Sequence, residues 1–193
     1  MRRILLTLTL VVVALAPAAC SAKPTPSGVL TIPTPTTATT SARTASPSVA
    51  ATCDKKPYTT MALTVMHSVD TPPRPQVTAI RPGSHPECGF DRITFDFKGP
   101  IPGYSVMAVN NVVQDGSGKA IHMPGARFLL IRFVPATTLS LPTAPVALGF
   151  PVLRGYAVSG DFEGIVSIAL GLSNIVRVRV GELPGRVYID VSL

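Results

Sequence analysis

One stretch, Gly89 to Tyr104, restricts the fold of this chain more than any other. From Arg92 to Lys98 the residues alternate strictly: Ile93, Phe95 and Phe97 share one side, and Arg92, Thr94, Asp96 and Lys98 the other. A period of two describes a strand with one buried face and one wet face. Gly99-Pro100-Ile101-Pro102-Gly103 ends it, because proline gives the ladder no donor and glycine permits the turn. Tyr104 to Val109 resumes an extended pattern, so the pair reads as a core strand and its return.

The same period recurs downstream and upstream. Strands are expected over Tyr58 to His67, Val77 to Ile80, Ala126 to Val134, Val152 to Ser159, Ile165 to Leu172, Ile175 to Val180 and Arg186 to Val191. Turn chemistry falls between them at Arg81-Pro82-Gly83, Asp115-Gly116-Ser117-Gly118, Gly160-Asp161-Phe162-Glu163-Gly164 and Glu182-Leu183-Pro184-Gly185. The chain has 20 prolines and 15 glycines, and no helical pattern of ten residues stands out. About nine short strands without helices imply an all-β fold, an antiparallel β-sandwich or a partly open barrel. The loop from 139 to 151 is apolar; Leu139, Leu141, Val146, Leu148 and Phe150 either cap one end of the core or form an exposed patch.

Ahead of this head the composition changes twice. Met1-Arg2-Arg3 and the apolar run Ile4 to Ala16 have the pattern of a secretory leader, too short for a membrane span. Leu15-Ala16-Pro17-Ala18-Ala19-Cys20 resembles a bacterial lipobox, although Pro17 stands where an aliphatic residue is usual. The expectation is a leader over 1–19, lipid on Cys20, and an exported protein held at the outer face of the cell membrane. The other reading is plain secretion after an Ala-x-Ala-like cut. In residues 21–52, 25 of 32 positions are Thr, Ala, Ser or Pro, so residues 20–52 are expected to be a disordered tether, open to O-glycosylation. The head is then 53–193. Its two cysteines, Cys53 and Cys88, are expected to form a disulfide in an oxidising compartment, closing a loop of about 36 residues and contributing about 3–4 kcal/mol. A redox or metal pair would call for C-x-x-C spacing or a flanking His-rich cluster, and the sequence has neither.

Functional classes are excluded more readily than assigned. The formal charge of +7 is scattered, with no basic run or basic-aromatic interleaving, so nucleic acid is not an expected partner. His67, His85 and His122 are isolated, which leaves no zinc-ligand spacing. There is no G-x-S-x-G, phosphate loop or cofactor fingerprint, so neither catalysis nor a cofactor is expected. Three residues are candidates for binding. Asp161 and Glu163, two apart in a turn, suit a cation or an amine, or else satisfy turn backbone groups. Arg92 either pairs with Asp91 structurally or presents its guanidinium to a carboxylate-rich polymer.

The blocks Gly89-Phe90-Asp91-Arg92-Ile93-Thr94-Phe95, Gly99 to Tyr104, Asp115 to Gly118, Gly160 to Gly164, Gly171-Leu172 and Arg186 to Val191 resemble, in order, the AMIN-like domain of actinobacterial lipoproteins. The resemblance spans roughly residues 87 to 193 and leaves Tyr58 to Ile80 outside, as an added strand or ordered arm. It implies a small β-domain that localises its carrier in the envelope, in some cases by binding peptidoglycan. The amidases that carry AMIN domains have a catalytic domain after it; no such domain follows here, so their hydrolysis does not carry over. The expected function is therefore a non-catalytic module for peptidoglycan or another wall component, engaged through polar strand faces and the 160–164 turn. The alternatives are a protein- or lipid-contacting lipoprotein using the 139–151 loop and, last, a cryptic hydrolase. Envelope proteins are the other expected partners.

Overall fold

Every segment with a period of two yields a strand, and two strands of two residues join them. The computed structural model describes residues 53, 55–59, 62–69, 72–174 and 177–192. The expected leader, the lipidated Cys20 and the tether to residue 52 lie outside these residues. In chain order the strands are β1 (Leu63–Val65), β2 (Gln76–His85), β3 (Phe90–Lys98), β4 (Gly103–Val109), β5 (Arg127–Val134), β6 (Thr137–Thr138), β7 (Val146–Ala147), β8 (Leu153–Phe162), β9 (Ile165–Leu172), β10 (Arg177–Leu183) and β11 (Arg186–Ser192). They form a six-stranded sheet, β1-β4-β5-β9-β8-β7, and a five-stranded sheet, β10-β11-β3-β2-β6. All pairs are antiparallel except β2 with β6. This is a sandwich of two open sheets. Neither closes into a barrel.

The core lies between the sheets and is built from the expected faces. Ile93 and Phe95 of β3 are fully buried, opposite Ile131 and Phe133 of β5 and Ile168 and Leu170 of β9. The Phe133 ring meets Phe95 and Phe97 edge-on, with centroids 5.1 Å and 5.0 Å apart, a geometry the ring quadrupole favours. The 139–151 loop caps this core: Leu141, Val146, Leu148 and Phe150 pack on it, and only Leu139 of the five is left more than half exposed.

Four local expectations are corrected. β4 does not return along β3 but crosses to the other sheet, because the Pro-Ile-Pro connection offers too few donors for a tight hairpin and arches instead. β2 does not stop at Ile80; it continues through Arg81-Pro82-Gly83 to His85. Proline is tolerated there because β6 covers β2 only at Gln76 and Val77, and beyond them β2 is an edge. Tyr58 to His67 is not one strand. Thr59 pairs with Val178 in the five-stranded sheet, and Leu63–Val65 pairs with β4 in the six-stranded one. The turn expected over Gly160 to Gly164 shrinks to Glu163-Gly164, whose φ values of 52° and 81° are those of a tight hairpin turn, so Asp161 is a strand residue.

The sheets differ in how their outer faces are covered. On β8 and β9 of the six-stranded sheet that face is made of small residues, including Ala157, Ser159, Ser167 and Ala169, all at most 2% exposed. Residues 110–126 lie across them. The Asp115 amide donates to the Ser159 carbonyl at 2.8 Å and the Ala126 amide to the Leu172 carbonyl at 2.7 Å. The Pro124 carbonyl sits where a Cβ of Gly171 would be, so only glycine permits this approach. On the outer face of the five-stranded sheet Tyr58 lies over Arg177 and Arg179, and the sheet's own long side chains make up much of the layer.

Candidate functional site

Alternation along β3 turns Phe90, Arg92, Thr94, Asp96 and Lys98 outward on the five-stranded sheet. The register sets Arg179 of β10, Asp190 of β11 and Arg92 of β3 in one row across three strands. Arg92 donates from Nε and Nη2 to the two Asp190 oxygens at 2.6 Å and 2.9 Å, a bidentate pair. Arg179 donates from Nε and Nη2 to Asp190 Oδ2 at 2.8 Å and 2.6 Å. Asp190 is 0% and Arg179 3% exposed. A carboxylate so buried is tolerable only because two guanidinium groups bind it, and the second cation leaves the row positive by one charge.

Aromatic rings hold these arginines flat. The Arg92 guanidinium lies 4.1 Å from the Tyr188 ring centre and 5.2 Å from that of Phe90. Arg179 lies 4.6 Å from Tyr58 and 5.0 Å from Phe90. Tyr188 reaches its place by lying over Gly181, where any Cβ would overlap the ring. A second cluster repeats the pattern nearer solvent. Asp96 receives Arg186 at 3.0 Å and is in contact with Arg81, while both arginines remain about half exposed or more. With Lys98 and Arg177, this outward face carries six cations against two carboxylates.

The segment after Cys53 borders this face. Cys53 is joined to Cys88, in the 3-10 turn between β2 and β3. The Lys56 ammonium donates to the Val180 carbonyl at 2.6 Å, and Thr59 exchanges two backbone hydrogen bonds with Val178. Further along, His67 Nε2 stands 2.9 Å from Glu182 Oε1, which also accepts from the Tyr104 hydroxyl at 2.8 Å. Glu182 thus ties the edge of one sheet to the other. Burial raises the Tyr104 hydroxyl well above the ordinary phenol range, and its bond to Glu182 and nearby negative charge act the same way. Burial pushes the Glu182 carboxyl up, but the bonds from His67 and Tyr104 and the positive charge of His67 and Lys56 outweigh it and leave it below its ordinary value.

The three residues singled out by sequence are not brought together. Arg92 is central to the charged face, but its partner is Asp190, not Asp91; neighbours on a strand point to opposite faces. Asp91 turns inward instead and accepts from Ser84 Oγ at 2.7 Å and from the amides of Val152 and Leu153 at 2.7 Å and 2.9 Å. Asp161 lies eight residues along β8 from Leu153, roughly 25 Å away. Its Oδ2 accepts from the Thr138 amide, Thr138 Oγ1 and Thr137 Oγ1 at 2.8 Å, 2.7 Å and 3.1 Å, which holds β6 in place. Glu163 is exposed at the tip of the β8–β9 hairpin. Sequence reading missed Asp190, Arg179, Tyr188 and the Arg81–Asp96–Arg186 cluster. Their alternation was visible, but not which strands lie side by side.

Among the described residues no helix is long and apolar enough to cross a membrane, and no group of three His, Cys, Asp or Glu side chains is arranged to hold a metal. No curated protein matches the chain. A family model for the AMIN-like domain matches residues 75–193, starting earlier than the 87 suggested by the motif blocks and so taking in the whole of β2. Most of the head, every strand but β1, falls within that match, and the chain belongs to the AMIN-like domain family.

Proposed function

We propose that this protein is a non-catalytic envelope-binding module that docks on peptidoglycan, or on an anionic polymer attached to it, through the outer face of its five-stranded sheet. AMIN-like membership supports the class of function. One observation carries the choice of face: it has six cations to two carboxylates, and two of the cations, Arg81 and Arg186, are about half exposed or more. Muramyl peptide stems and wall-polymer phosphates are anionic, and half-exposed guanidinium groups such as Arg81 and Arg186 suit them geometrically. Arg92 supports that face from beneath. Asp161 and Glu163, at the distant hairpin, are left as a separate candidate contact. The reading retains export, a lipid on Cys20 and a tether over residues 20–52 that gives the head reach beyond the membrane.

Sedimentation of the purified chain, disulfide intact, with peptidoglycan sacculi tests this. The expected result is a saturable pelleted fraction that falls as salt rises, since exposed charges are screened. The double variant Arg81→Glu/Arg186→Glu should abolish it, while Asp161→Ala should leave it unchanged. Pelleting no greater than that of a control protein would overturn the proposal. Loss in Asp161→Ala alone would move the site to the β8–β9 hairpin.

A further inference from the structure

The sandwich is open along one side. Where β1 and β10 end their sheets, with Thr59 bridged to Val178, a cleft of about 520 Å³ runs in between them. Its walls are core residues, Leu129 and Leu172 from one sheet and Val178 and Val180 from the other. The opening has a local cause. Along β4 the core-facing row runs Tyr104, Val106, Ala108, and the methyl of Ala108 is too short to reach the opposite sheet. Ala108 is exposed despite facing the core side.

Protein interiors are filled to crystal-like density, and an apolar cleft of this size departs from that packing. The volume falls within the range of small-molecule sites, which are mainly apolar with a few polar groups that fix orientation. Here the charged group is Arg127, with Thr59, Asn110 and Asn174 also on the lining. It belongs to the core-facing row of β5, two residues from Leu129 and opposite Leu172, and it lines the cleft where the apolar row ends. It is exposed, and among the described residues no carboxylate lies within ion-pair distance of it. A second cavity of about 470 Å³ shares Thr59, Leu63 and Val180 with the first, but Lys56, Tyr104, Arg179 and Glu182 line it, so the apolar space ends there.

An apolar cleft with a cation at its end that has no carboxylate partner among the described residues is complementary to a chain with one negative head. We propose that this cleft binds a single-chain anionic amphiphile, a long-chain fatty carboxylate, with its hydrocarbon between the sheets and its carboxylate on Arg127. The site is distinct from the arginine-rich outer face and does not depend on polymer binding there.

The test is a titration of the purified full chain with hexadecanoate, below its micelle concentration, read by displacement of a fluorescent fatty-acid analogue. Hexadecanol serves as the headless comparison. Saturable binding at one molecule per chain is expected. Arg127→Ala should weaken hexadecanoate about tenfold, the scale of one hydrogen bond to a charged group, and leave hexadecanol unchanged. Ala108→Phe, which places a ring in open space, should remove binding of both without lowering the thermal midpoint. No saturable binding by the wild-type chain overturns the proposal. So does hexadecanoate affinity that both variants leave intact, or an Arg127→Ala effect equal for acid and alcohol. Should Ala108→Phe unfold the protein, the acid-against-alcohol comparison in Arg127→Ala decides alone. Binding to anionic vesicles that hexadecanoate does not displace would assign a membrane surface instead, and also overturns it.

Discussion

The two sheets treat their outer faces in opposite ways. On β8 and β9 of the six-stranded sheet the outward side chains are small, and residues 110–126 supply a second layer directly on the backbone. On the five-stranded sheet the side chains are long, charged and stacked on rings, and they form their own layer. One face is sealed by chain, the other by arginine. Arginine does both tasks at once: its methylene stem and flat guanidinium cover the aromatic rings, while its remaining donors stay available to solvent. A face covered in this way can bind without first uncovering itself.

The contrast is most exposed to attack at Asp190. Asp190→Asn leaves Arg92 and Arg179 without their shared charge in a buried row, and a loss of about 3–5 kcal/mol is expected in urea unfolding. A loss below about 1 kcal/mol would mean that the row is as wet as a surface pair. Gly171→Ala attacks the other face. Its methyl meets the Pro124 carbonyl, which as backbone cannot step aside, and a cost of about 1–3 kcal/mol should accompany faster proteolysis within residues 110–126.

A smaller effect is expected where the sheets are tied together. Tyr104→Phe keeps the ring and deletes the hydroxyl bond to Glu182, a loss of about 1 kcal/mol. The sign of its pH dependence is set by the raised Tyr104 pKa. Such a group stabilises the fold below its unfolded value of about 10, and the contribution disappears as pH climbs through the folded value. Unfolding midpoints from pH 8 to 11 should therefore fall more steeply in the wild type than in Tyr104→Phe. Glu182, with its pKa lowered, contributes above the ordinary carboxylate range and loses its effect as pH falls through its folded value. Smallest of all is Arg186→Ala, which should change stability by less than about 1 kcal/mol while weakening wall-polymer pelleting. A large stability loss there would mean that the outer cluster is structural, and would remove the distinction between the buried row and the open one.

The core was legible in the sequence because it depends on one strand at a time. Ile93 and Phe95 need only a period of two to be placed inside. Partnership was not legible, since nothing in Arg177-Val178-Arg179 says that Asp190 will stand beside it. The proline rule misjudged Pro82 for the same reason: whether a missing N–H matters depends on what lies across from it. Ser167, Ala169 and Gly171 were visible as the small side of β9, yet smallness marks a covered face only once a covering segment is known. The 139–151 loop offered two readings, and capping prevails for all its large apolar residues but Leu139.

The bond between Cys53 and Cys88 also determines how the head bears load. Any pull applied to the chain before Cys53 passes through sulfur directly to the turn that joins β2 and β3 of the five-stranded sheet. The 34 residues between the two cysteines are bypassed and feel none of it. Without that link the same pull would peel Thr59 from β10 and then β1 from β4, one hydrogen bond after another. With it, force reaches the long β2–β3 and β3–β11 ladders first, and the open edge of the sandwich keeps its shape under tension.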